Sequence, residues 1–380
     1  MEKNASKKAK KFITNSDIFR IITEDEFDKT ISGELKTRQA IFLMNCSTWV
    51  NGAVLHTFVG GESSAGKDHN VKNILKIFPE DRIITRSKIT PQAFTYWHEE
   101  DKDWTWENKI VYVSDVENNL LNAPVFKAMA SEGTSASTVR NGKTVDIEIQ
   151  GIPNLVVTTA EANPINEILN RFNLVSLDES KEQTRAILDF IAKRATTNEK
   201  IFYSEDVVEG LALLKNVNVV VPFAEKMVEY IPGDFTKMRR VAKNFINLIK
   251  SSTALHQFQR DADAKGNLIA TKQDYEIAKS VIGNIQEDTI SGLTAKHKRY
   301  LIAFEKLEDN LYNMHEIYEK TNDILALQNW YPIMEELALK GVVDMQEEKD
   351  EFTGKFVRKY KKISAKNQEF ILPEFEKISF

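Results

Sequence analysis

Between residues 53 and 200 short apolar runs alternate with longer amphipathic stretches. The runs at 53–60, 82–85, 109–114, 154–159 and 172–178 carry few polar positions and are rich in Val and Ile. Such runs predict strands buried on both faces. The stretches at 68–78, 90–100, 122–131 and 181–195 place apolar residues at helical spacing, as in Val71, Ile74, Leu75 and Phe78, and predict helices. Strands separated by helices imply a parallel sheet covered on both sides, an α/β core. Ahead of it, residues 16–50 predict helices, with Asn15-Ser16-Asp17 as a cap. Phe27, Ile31 and Leu35, then Ala40, Ile41, Leu43 and Met44, mark the buried faces.

Three segments depart from the strand–helix rhythm. Residues 134–149 alternate as a strand pair around Asn141-Gly142, the strongest short turn signal a sequence offers. Arg140 and Lys143 flank that turn, either as a solvated hairpin end or as a finger aimed at a polyanion. After about 200 the strands are expected to stop: 203–216, 220–231, 235–260 and 271–290 all read as helices, a small helical lid. From about 293 come helices at 296–309, 314–320 and 330–340, then two extended pieces around Gly354. Helices followed by a two-stranded wing predict a winged helix-turn-helix, which reads nucleic acid or docks proteins. Lys355, Arg358 and Lys359 head its basic strand. The expected domains are a helical segment at 1–50, an α/β core at 51–200, the lid at 201–290 and the winged helix at 291–380.

Composition narrows this little. A hydrophobic content of 42% with 28% charged residues is that of an ordinary globular protein, and a net charge of −5 leaves room only for local basic grooves. The lone cysteine, Cys46, excludes a disulfide framework, and no run is long enough to span a membrane. A reducing, cytoplasmic location is expected. The basic start, Lys3, Lys7, Lys8, Lys10 and Lys11, predicts a frayed, solvated tail.

The chemistry gathers at Gly61-Glu62-Ser63-Ser64-Ala65-Gly66-Lys67-Asp68, between the first predicted strand and its helix. The pattern G-x-x-x-x-G-K in that context is a phosphate-binding loop. Its backbone N–H groups and the helix N-terminus face an anion, and Lys67 reaches the outer phosphates. His69 continues the set. Where a hydroxyl residue normally ligates Mg²⁺, this chain has Asp68. Hydrolysis also needs acids on a neighbouring strand. In one register Asp115 holds the metal and Glu117 stands one place beyond the expected glutamate. In the other, Ser114 takes the metal position and Asp115 becomes the catalytic acid. Thr159 or Asn163 can orient the attacking water, and Arg171 is placed to act as an arginine supplied across a subunit boundary.

This order of phosphate loop, acidic strand, hairpin, polar strand end, Leu169-Asn170-Arg171-Phe172 and lid resembles the AAA+ ATPases. Within them it is similar to the MCM branch and its relatives on plasmids, viruses and mobile elements. Thr30-Ile31-Ser32-Gly33-Glu34, Ala162-Asn163-Pro164, Met238-Arg239-Arg240 and Asp274-Tyr275-Glu276 add to the likeness. The resemblance implies a P-loop AAA+ core using ATP and Mg²⁺ and a ring of identical subunits, hexameric in form, moving on single-stranded or forked DNA as a replication helicase. It also implies a pore hairpin at Arg140 and Lys143, a first sensor at Thr159 or Asn163, the finger Arg171 and a second sensor at Arg239 or Arg240. The alternative is an ATP-switched DNA-binding initiator or scaffold with weak or no hydrolysis, which Asp68 and Val116 favour.

Overall fold

The structure, a computed structural model, describes residues 6–61, 64–100, 104–131, 134–140, 143–159, 171–197, 202–231, 236–291, 295–321, 327–339, 342–349, 356–363 and 372–378. The chain forms two compact units, Met1–Ile290 with Leu372–Phe380, and Ser291–Ile371.

The larger unit is built on a parallel five-stranded sheet. Its strands are β1 (Thr57–Gly60), β2 (Ile83–Arg86), β3 (Ile110–Val113), β6 (Asn154–Thr158) and β7 (Asn173–Ser176), in the order β2-β3-β6-β1-β7. Every residue of β1, β3 and β6 is buried, as central parallel strands require. The sheet is flanked by α1 (Leu35–Asn45), α2 (Lys67–Leu75) and α3 (Pro91–Glu100), while α4 (Lys181–Thr197) follows β7. One face packs Phe58, Val111, Val113, Leu155 and Val157 against Phe94, Trp106, Phe126 and Phe172. The antiparallel pair β4 (Thr134–Arg140) and β5 (Lys143–Ile149) forms the expected hairpin, with Arg140 opposite Lys143. The turn residues Asn141 and Gly142, and the hairpin's cationic side chains, lie outside what is described.

Register fixes two functional edges. Gly60 pairs with Ser176 and Thr57 with Asn173. The carboxyl ends of β1, β3, β6 and β7 therefore share one edge, and His56, Asn154 and Asn173 mark the other. Helix α5 (Thr236–Leu255) crosses that second edge: Asn244 Nδ2 donates to Asn173 Oδ1 at 2.7 Å, and Asn247 Nδ2 donates to the Val54 carbonyl at 3.4 Å. The main helix of the expected lid thus closes the sheet edge opposite the phosphate loop.

Three other expectations are corrected. The strands do not stop at 200, because β8 (Val219–Val220) pairs in parallel with β9 (Leu268–Ile269); two residues are too few for a periodic signal. The described part of the basic start is not frayed. Lys7–Ile13 is a helix capped by the Ser6 hydroxyl, with Ala9 and Ile13 buried. It lies so close to Gly210 that a Cβ there would stand 2.9 Å from Phe12 Cδ1. The last residues do not belong with the final domain. Tyr275, in α6 (Lys272–Ser291), donates its hydroxyl to the Pro373 carbonyl at 2.6 Å, and the Phe375 ring lies 5.1 Å from that of Phe223.

The smaller unit runs α7 (Ala295–Glu305), β10 (Tyr312–Asn313), α8 (Met314–Lys320), α9 (Leu327–Leu339), β11 (Val343–Lys349) and β12 (Phe356–Lys362). Its antiparallel sheet has the order β10-β12-β11, and β10 is an element the sequence did not reveal. Asn313 and Glu316 form a capping box that starts α8. Tyr300, Phe304, Trp330 and Tyr360 fill a core of its own. Among the described residues no helix is long and apolar enough to cross a membrane.

Candidate nucleotide site

The loop from Gly61 to Lys67 joins the buried end of β1 to the start of α2. Glu62 and Ser63 lie outside the described residues. Ser64 (φ 71°) and Gly66 (φ 89°) both adopt left-handed backbone, and Gly66 caps α2, so the turn is tight. Asp68 lies in the helix's first turn. The Lys67 side chain is buried and folds back, its Nζ donating to the Gly61 carbonyl at 2.9 Å. A Cβ at Gly61 would stand 3.2 Å from Glu179 Oε1 and 3.7 Å from Lys67 Cδ, so the loop closes tightly around its lysine. This cradle and helix N-terminus fit a phosphate chain.

Asp68 is the centre of a network joining three elements. Its Oδ1 accepts from the Tyr112 hydroxyl at 2.7 Å and from Thr158 Oγ1 at 2.5 Å, while Oδ2 lies 3.9 Å from Lys72 Nζ. Thr158 Oγ1 also accepts the Asp115 N–H at 3.0 Å. Burial, and then the hydrogen bond to Asp68, holds the Tyr112 hydroxyl well above its ordinary range, so it is a proton donor at any working pH. Tyr112 and Thr158 were not among the residues expected from sequence. Only strand pairing brings them to the loop, since 44 and 90 residues separate them from Asp68.

The acidic strand ends beside this network. Asp115 is exposed and has left-handed backbone (φ 50°), Val116 is buried, and Glu117 is exposed at the start of the helix Asn118–Asn122. Ser114 is buried, two residues beyond Tyr112. Asp115 and Glu117 open on a cavity of about 280 Å³ that Lys88 and Thr90 also line. Among the described residues no three His, Cys, Asp or Glu side chains stand together as a metal site. The hard oxygens of Asp68, Ser114 and Asp115 suit Mg²⁺, an ion usually held by one or two carboxylates together with substrate phosphates.

The remaining candidates fall in different places. His69 turns from the loop to bond the Thr30 carbonyl at 2.8 Å through Nε2. It helps fix the segment Thr30–Glu34, which Gln183 also holds through the Ser32 carbonyl at 2.8 Å. Glu34 is buried at the start of α1 and accepts the Asp178 N–H at 3.1 Å. Burial, with Asp178 and Glu179 nearby, raises its carboxyl to about 7. Thr159 is buried and donates its hydroxyl to the Val116 carbonyl at 3.2 Å; Asn163 lies outside the described residues.

Arg171 stands at the far edge of the sheet, before β7, donating to Ser131 Oγ at 2.8 Å. Arg240, on α5, joins it there: burial and the Arg171 charge together lower its affinity for its proton. Arg239 is exposed one residue earlier. In the smaller unit Arg358 bonds Glu335 and, through Nε, Glu347 at 3.2 Å, and Lys359 Nζ bonds Glu348 at 2.6 Å. Lys355 lies outside the described residues.

A parallel sheet with a glycine-bearing loop between a buried strand and a helix N-terminus, acids at neighbouring strand ends, defines a P-loop nucleotide-binding domain. The family model of the MTBMA_p00010 P-loop domain matches residues 3–220, more than half of the chain, and the chain belongs to that family. No curated protein matches it.

Proposed function

We propose that this chain is an AAA+ ATPase of the MCM-like branch, a replication motor of a mobile element or virus that works as a ring on DNA. Position in the sheet carries this reading. From Arg171 to Ser176 the chain runs the length of β7, roughly 16 Å of extended backbone, away from the edge that bears the loop. An arginine so placed cannot serve its own site, and it sits beside a second arginine, Arg240. Both are positioned to meet the nucleotide of a neighbouring copy, where charge develops during phosphoryl transfer.

Within the site, Lys67 and the loop backbone hold the phosphates. Mg²⁺, when bound, neutralises charge between the outer phosphates. Asp68 supplies a carboxylate toward it, oriented by Tyr112 and Thr158. The register with Ser114 beside Asp68 fits better than its rival, because strand alternation puts Ser114 on the same face as Tyr112. Asp115 then orients the water, its turn fixed by the Thr158 hydroxyl. The hairpin presents Arg140 and Lys143 to DNA, and Ser291–Ile371 serves as a winged helix. One observation favours the second reading, an ATP-switched initiator with weak hydrolysis: Val116 is buried where an acid normally follows the metal-holding residue.

Subunit mixing tests the first reading. Arg171→Ala is expected to bind ATP normally while its turnover falls about 10³-fold. Lys67→Ala is expected to bind ATP at least tenfold more weakly. Mixed, the two should regain activity, since each supplies what the other lacks. Turnover in a dilute monomer equal to that of the assembled protein would sink the proposal, and turnover unchanged by single-stranded DNA would favour the switch.

A further inference from the structure

Helix α4 is the least covered long element of the larger unit. Of the seventeen residues in Lys181–Thr197 only Gln183 is buried. Thr184, Leu188, Ile191 and Ala195 form a stripe at spacings of four, three and four residues, and all are exposed, Leu188 by 53% and Ile191 by 57%. A helix in a folded protein draws most of its stability from burying an apolar stripe. This stripe meets water.

The position of α4 indicates what covers it. The helix starts at the mouth of the phosphate loop: Glu179 lies against Gly61 and Gln183 bonds the Ser32 carbonyl. Around that mouth stand Glu34, Asp178, Glu179, Asp115 and Glu117. At the opposite sheet edge stand Arg171, Arg239, Arg240 and Lys243. One edge is acidic and the other basic, so two copies are electrostatically complementary head to tail and mismatched head to head. The flanks of the stripe carry both signs, with Arg185 paired to Asp189 at 2.9 Å, so a polyanion has little to grip there.

We propose that the Leu188–Ile191 stripe of α4 is the docking surface for a second copy of this chain. That copy is held head to tail, so that its Arg171–Arg240 edge meets the phosphate loop at the base of the helix. This rests on the reading of Arg171 as acting across a subunit boundary. A contact between two unlike surfaces repeats from copy to copy, closing into a ring or running on as a filament.

Leu188→Asp combined with Ile191→Asp tests it. Both side chains are exposed in the single chain, so the fold and the affinity of the monomer for ATP should hold. The concentration needed for assembly with Mg²⁺ and ATP, read by sedimentation, should rise at least tenfold. Turnover should fall to the level of Arg171→Ala. The paired Leu188→Ser and Ile191→Ser changes give the same reading without added charge, should the aspartates unfold the helix. If the unaltered chain assembles and both variants assemble equally well, the α4 proposal fails while the trans arginine stands. If the unaltered chain stays monomeric with nucleotide at any concentration, both fail. Leu188→Cys separates the symmetric case: Cys46 is buried, so rapid disulfide-linked dimers would mean that two α4 helices face each other, which overturns the head-to-tail arrangement.

Discussion

The phosphate loop and strand β12 are both stretches where the sequence collects what a polyanion wants, yet they fold into opposite electrostatic settings. In the loop a single cation, Lys67, is turned onto its own backbone, and the groups around it converge from three strands. On β12 four cations lie within seven residues, but their neighbours answer them. Strand β11 lays Glu347 opposite Arg358 and Gln346 opposite Lys359, and Glu348 reaches that lysine. Lys361 lies 4.0 Å from Asp309, and Lys362 donates to the Glu305 carbonyl at 2.5 Å. A run of like charges in sequence is therefore no patch in space until the paired strand is known.

The largest effect expected from this contrast concerns the buried acid at the loop edge. Glu34 titrates near 7 when folded, against 4.5 for an ordinary glutamate. Its carboxyl is thus easier to keep protonated in the folded chain than in the unfolded one. The stability this contributes is full below about pH 4.5 and is lost as pH rises through 7, by up to roughly 3 kcal/mol. Asp178 and Glu179 face the same carboxyl and add to the effect. Glu34→Gln should remove that slope, so in urea unfolding the variant should gain on the parent between pH 5.5 and 8. Parallel curves for the two proteins would show that Glu34 is not buried charge at all.

A smaller effect is expected at Asp68. A carboxylate facing phosphate oxygens repels them unless a divalent cation lies between. Chelating Mg²⁺ should therefore weaken ATP binding severalfold more in the parent than in Asp68→Ser. Equal losses would mean that Asp68 serves only Tyr112 and Thr158.

The smallest effect belongs to β12. Exposed ion pairs contribute little, and cations already paired must be released before they can hold a phosphate. Arg358→Ala with Lys359→Ala should change DNA affinity by less than about twofold, with the same salt slope. A slope lowered by one or more would move the DNA contact from the hairpin to this strand.

These cases show where the sequence was sufficient. The loop was legible because its geometry is local: Gly61, Gly66 and Lys67 need only the strand before them and the helix after. The five strands were legible because buried parallel strands are uniformly apolar, and their bounds held to within a few residues. Tyr112 and Thr158 were not, since a tyrosine and a threonine in apolar strands look like core until β6 is found beside β3. The placement of α5 was hidden for a similar reason. Its periodicity announces a helix, but the asparagines that dock it on the far edge, Asn244 and Asn247, carry no signal of their own. The helical start at Lys7–Ile13 was masked by its lysines, which line the outer side of a helix whose inner side is Ala9 and Ile13.

The return of Leu372–Phe380 to the larger unit has a practical side. The chain leaves that unit near residue 290, builds the smaller one and comes back, so the smaller unit is an insertion rather than an appendage. Phe375 packs against Phe223 and Tyr275, and Ile378 is buried. A stop codon placed after residue 290 would thus remove a piece of the larger unit's own core along with the smaller unit. The cut that separates the two cleanly is internal, replacing 292–371 with a short flexible bridge that keeps the final strap in place.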